Sequence, residues 1–99
     1  MHEKDHADLK ESIKKAFDWI LHDSPQTESA WHIARLLLWL YNPTLYPNDF
    51  LSYEADEIRK QWAADIVNYF YISRRQIHHW FDDGPELMGR VEKIYGQSQ

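Results

Sequence analysis

Cysteine is absent from the 99 residues, which removes disulfides, thiolate metal sites and thiol nucleophiles together. Such a chain must hold its core by packing alone, and the composition suits a reducing compartment. Glycine occurs three times, too sparsely for a loop that cradles phosphate. No apolar run approaches the roughly 20 residues that span a bilayer. The opening Met1-His2-Glu3-Lys4-Asp5-His6 lacks the basic start and apolar stretch of a secretory signal. These features lead to the expectation of a cytoplasmic protein with no membrane contact. Cations are also in deficit: 11 Lys and Arg against 16 Asp and Glu give a formal charge of −5. That field repels phosphate backbones and anionic lipid unless basic residues are gathered locally.

Aromatic residues, by contrast, are plentiful, with five Trp, six Tyr and four Phe. They bury large areas at low entropic cost, so an aromatic core is favoured over an aromatic binding face. Hydrophobic residues at 43% and charged residues at 27% are the proportions of an ordinary globular chain. The length suits a single domain, residues 1–99, with one core.

The hydrophobic pattern predicts helices throughout. Leu9, Ile13, Ala16, Phe17, Ile20 and Leu21 recur at spacings of three and four over about residues 3–22, forming one apolar stripe. Asp23-Ser24-Pro25 ends that helix, because the residue before a proline leaves the α region. A second helix is expected from Thr27 or Ser29 to Tyr41, with either hydroxyl as cap. It is apolar on nearly every side, interrupted only by His32 and Arg35, and so should lie at the centre or be covered in part by a second subunit. Trp39 is expected to be buried there with Leu36 and Leu40. Prolines 43 and 47 mark a loop. Its Leu45, Tyr46, Phe50 and Leu51 are expected to pack across one end of the bundle. Ser52 is expected to cap a third helix, which carries Ala55, Ile58, Trp62, Ile66, Tyr69 and Phe70 on one seam to about Tyr71. Ser73-Arg74-Arg75-Gln76 fits a capping box opening a short helix to Phe81. Pro85 then starts a last helix that Gly96 closes.

Reactive constellations are scarce. His2-Glu3-Lys4-Asp5-His6 matches the H-E-x-x-H zinc pattern. It sits at a chain end, where a third ligand and a dry cleft are hard to supply. His78 and His79 would point about 100° apart on a helix, too divergent to chelate together. The abundant carboxylates read as solvated helix faces. No Ser-His-Asp set or paired-carboxylate signature is defensible from spacing, so neither an enzyme nor a cofactor is expected.

Residues 63–81 resemble the helix-turn-helix of bacterial DNA-binding regulators. Ile66 and Phe70 match the inner face of a first helix, Ile72 the turn, Ser73 the cap, and Ile77, Trp80 and Phe81 the inner face of a second. The resemblance implies that Arg74, Arg75, Gln76, His78 and His79 project from a recognition helix toward phosphates and base edges. Tyr71 stands where the turn usually has glycine, and Val67 where the two helices usually touch through a smaller residue. Ala34, Leu37, Leu38, Leu40, Tyr41 and Asn42, then Pro47 and Asp49, then Arg75, Gln76 and His78 resemble an uncharacterised family of small helical bacterial proteins. That family is often encoded on plasmids and integrative elements. The resemblance implies a helical fold and an accessory role, and it transfers no activity.

The resulting expectation is an all-α protein, a four- or five-helix orthogonal bundle around a central apolar helix, with the first helix its most separable part. Functionally it reads as a non-catalytic binding module that meets a protein partner or itself. Tyr46, Tyr53, Tyr69 and Tyr71 are the candidate contact residues, since amphipathic rings favour interface cores. The alternative is a DNA-binding regulator using residues 63–81.

Overall fold

In the first helix, α1 (His6–Asp18), the apolar stripe read from the sequence becomes the face that meets the rest of the protein. Leu9, Ile13, Ala16 and Phe17 are buried along it. The computed structural model of the chain describes residues 6–23, 27–46 and 56–96. Past Asp18 the helix widens into a π-helical turn over Trp19–Asp23, a register in which backbone groups lose their regular α partners. One of them is satisfied from across the molecule, where the Tyr95 hydroxyl donates to the Ile20 carbonyl.

The second helix, α2 (Glu28–Tyr41), begins at Thr27, whose hydroxyl accepts from the Ala30 amide at 3.3 Å. Thr27, rather than Ser29, is therefore the cap. Ala30, Ile33, Ala34, Leu36, Leu37 and Leu38 are buried, and the covering elements belong to the same chain: α3, α4 and the π-turn all pack on α2. The central position is as expected. Trp39, however, is only partly buried, and packs against the core from its edge. After Tyr41 the carbonyl of Asn42 accepts from the amides of Leu45 and Tyr46, both at 3.1 Å, which reverses the chain.

Asp56 caps the third helix, α3 (Glu57–Ser73), by accepting from the Arg59 amide at 2.9 Å. The expected cap Ser52, with Phe50, Leu51 and Ala55, lies outside the described residues. Ala63, Ile66 and Tyr69 face inward, whereas Ile58, placed on the same seam by its spacing, is 57% exposed in the first turn. Asp65 departs from the reading of the carboxylates as solvated. It is 1% exposed, and accepts from Ser12 of α1 at 2.6 Å and from Gln61 at 3.0 Å.

The expected short helix from Ser73 to Phe81 is not formed. Ser73 is the last residue of α3, and Arg74 follows in the left-handed region at φ 54°, ψ 24°, a conformation that terminates helices. The Ser73 hydroxyl accepts from the Arg75 amide at 3.3 Å, a local turn in place of the capping box. Only one turn of 3-10 helix, Ile77–His79, follows. The turn is pinned by Trp80, whose indole N–H donates to the Arg75 carbonyl at 3.2 Å while its ring meets Tyr69 edge-on at 5.0 Å.

The fourth helix, α4 (Gly84–Tyr95), has proline in its first turn and buries Leu87, Met88, Val91 and Tyr95. Gly84 is demanded by close approach: a Cβ there would stand 2.2 Å from the His78 carbonyl oxygen. Gly96 ends the helix, its amide donating to the Glu92 carbonyl. The described residues thus form four α-helices and no strand. No helix among them is long and apolar enough to cross a membrane. The first helix is an integral layer, since its stripe joins the single cluster of buried residues and packs along α3.

Candidate functional site

Where α2 and α3 both end, their last turns and the following bends enclose an open groove of about 650 Å3. Leu40, Tyr41 and Pro43 line it from α2 and its turn, Phe70 and Tyr71 from α3, and Arg74, Arg75 and Gln76 from the bend after α3. Its wall is therefore largely apolar and aromatic, with two guanidiniums and an amide beside it. The volume lies within the roughly 300–1,000 Å3 typical of ligand pockets.

Tyr71 is the most accessible of the aromatic lining residues, 72% exposed, with its ring edge-on to Phe70 at 5.9 Å. Tyr41 meets the His78 ring edge-on at 5.4 Å, and the His78 and His79 rings lie 4.0 Å apart. These two adjacent rings thus lie in contact, tilted by 54°. The Nδ1 of His78 is buried and makes no hydrogen bond among the described residues. Among those residues, no three His, Cys, Asp or Glu side chains gather to hold a metal ion.

The charge balance at the groove is set by where the nearby carboxylates go. Asp83 binds Lys14 at 2.9 Å, and this ammonium holds its carboxyl below the usual range. Glu86 binds Arg90 at 3.1 Å. Neither Arg74 nor Arg75 makes an ion pair among the described residues. Both are exposed, as is Gln76, so among the described residues the groove carries two cations without an ion pair, on a chain whose formal charge is −5.

Arg74 also occupies the αL position, the only described non-glycine residue with positive φ. Glycine is the usual residue there, because a side chain in this region costs roughly 1–2 kcal/mol. A cation just past a helix C-terminus recovers about 0.3–1 kcal/mol from the dipole. That gain accounts for a basic residue near the helix end, but not for a second arginine beside an aromatic wall.

Two of the tyrosines proposed as contact residues are core residues instead. Tyr46 is 7% exposed, and its hydroxyl donates to Glu92 at 3.1 Å. Burial, followed by Glu92, raises its pKa above the ordinary 10.0. Tyr69 is buried against Trp80. Tyr53 lies outside the described residues, and of the three described tyrosines Tyr71 both lines the groove and is exposed. Arg74, Arg75 and Gln76 are brought to the same groove. His78 and His79 lie in a 3-10 turn next to it, rather than on a recognition helix. His2, Glu3 and the His6 side chain of the zinc pattern lie outside the described residues. Leu40, Tyr41 and Phe70 were missed because apolar residues within helical spacing read as core, and Pro43 because it read only as a turn residue.

No family model matches the chain, and neither a curated protein nor a solved structure matches it.

A second recess, about 400 Å3, lies between α1 and the start of α3. Lys15 and Glu11 in its lining face each other at 3.8 Å, and Asp8 adds a second carboxylate. Beside it Arg59 stacks over Trp19 and Trp62, 3.9 and 5.0 Å from the ring centroids. This cation–π contact is already made within the chain.

Proposed function

We propose that the protein is a non-catalytic binding module that engages a protein partner, in the cytoplasm, through the groove at the C-terminal ends of α2 and α3. The observation that carries this reading is the pair of arginines, Arg74 and Arg75, which make no ion pair among the described residues and lie beside exposed Tyr71. Arginine and tyrosine are the residues most often found at binding hot spots, because both combine a planar apolar body with directional polar groups. Self-association is the other reading of the same module: α3, α4 and the π-turn pack on α2, while Trp31 and Trp39 on it stay only partly buried.

A DNA-binding reading draws on the same arginines. A helix or two-stranded ribbon is what commonly enters the major groove to read base edges, and the segment after Arg74 offers one 3-10 turn. The two readings separate when a photo-crosslinking amino acid replaces Tyr71 in the cells that express the protein. Discrete protein adducts are expected from that position and not from the exposed Lys93 on α4. Nucleic-acid adducts in their place would sink the proposal.

A further inference from the structure

We infer that the occupant of this groove is a short acidic segment of another protein, carrying an aromatic or branched aliphatic anchor among its carboxylates. The inference rests on the proposed function and names the chemistry of its partner. Two guanidiniums without carboxylate partners among the described residues offer planar forks that match carboxylates bidentately. The apolar wall formed by Leu40, Tyr41, Pro43, Phe70 and Tyr71 leaves room for a side chain that buries surface. Neither feature alone selects the ligand. Cations without the wall would take any anion, and the wall without cations would take any apolar residue.

Charge decides between an acidic peptide and a nucleic acid. A duplex carries one negative charge per roughly 1.7 Å of axis. It would run beyond the two arginines onto a surface whose overall charge is −5. A segment with two or three carboxylates matches the local cations and ends before meeting that field. The groove volume of about 650 Å3 also suits a few side chains better than an extended polymer. The αL placement of Arg74 adds a second argument. A side chain is kept where glycine would be less strained, as strained positions often are when they serve a site.

The test is fluorescence anisotropy on the full chain with labelled hexapeptides that alternate glutamate with phenylalanine or leucine. The same peptides with lysine in place of glutamate, and single- and double-stranded oligonucleotides, serve as competing probes. The acidic peptides should bind saturably and the lysine peptides should not. The double variant Arg74→Glu/Arg75→Glu should weaken the acidic peptides by on the order of tenfold or more and gain affinity for the lysine set. Tyr71→Ala should weaken binding by a comparable factor, while Lys93→Glu, an equal change of sign outside the groove, should leave it within about twofold. All these side chains are exposed, and unchanged thermal melts verify that the variants fold. Equal binding of acidic and lysine peptides, tighter binding of an oligonucleotide, or an equal loss from Lys93→Glu would overturn the inference. So would a dimer that hides Tyr71 from the probe. Protein adducts at position 71 without acidic-peptide binding would overturn this inference while leaving the binding-module reading intact.

Discussion

At Arg74 stability and binding pull in opposite directions. The αL backbone at φ 54° favours glycine, so Arg74→Gly should raise stability by up to about 1 kcal/mol. The same change removes one of the two guanidiniums from the groove and should weaken an anionic ligand. Denaturant unfolding and peptide titration on the one variant measure both effects, and a loss of stability would mean that the side chain anchors the turn. Tyr46 makes a different residue-scale prediction. Burial and Glu92 raise its pKa above 10.0, so the folded state holds the phenolic proton more tightly than the unfolded chain. Its contribution is complete below about pH 10 and is lost as pH rises through the higher folded value. Melts at increasing alkaline pH should show this decline, and Tyr46→Phe should flatten it.

Within the elements, two contacts hold the helices in place by polarity and by shape. Asp65 accepts from Ser12 across the α1–α3 interface and from Gln61 one turn earlier on α3. Asp65→Ala leaves both donors without it, and should cost about 1–3 kcal/mol in chemical denaturation. A near-neutral result would show that water replaces the carboxylate at little cost. Gly84 is a matter of shape, because an added Cβ would meet backbone at 2.2 Å, and a backbone atom cannot rotate away as a side chain can. Gly84→Ala should therefore destabilise by about 1–3 kcal/mol. It should also loosen the packing of α4 on the 3-10 turn, read as faster amide exchange at Trp80.

On the scale of the whole molecule, the apolar stripes of α1, α2, α3 and α4 meet in one buried cluster. A chain held by one core should unfold in a single cooperative step. Far-UV dichroism and tryptophan fluorescence should give coincident transitions, the latter because Trp19, Trp31, Trp39, Trp62 and Trp80 all lie in or against that core. Removing residues 1–23 should abolish the transition, since it strips Ile13, Phe17 and Ile20 from the cluster. A folded remnant would restore the idea of a separable first helix. The groove lies at the end of this body, where two helices stop together, and it depends on all four only through their packing.

Much of the architecture was legible because it follows from local periodicity. The sequence by itself determined that α2 is central, since a helix apolar on nearly all sides has no face to give to water. It also determined that a hydroxyl at Thr27 or Ser29 caps α2 and that proline leads α4, because backbone groups at helix ends need nearby partners, while the structure chose Thr27 between the two. The end of α3 was decided by tertiary contact. Ser73 and Gln76 satisfy a capping box on paper, but the Trp80 indole bonds the Arg75 carbonyl and meets Tyr69 edge-on, which holds the bend in place of a helix. The burial of Tyr46 and Asp65 was decided in the same way, by Glu92 and Ser12 from distant elements. So was the groove. Its residues come from two helix ends far apart in the chain, and periodicity describes which way a residue faces around its own axis, but not which other helix will stop beside it.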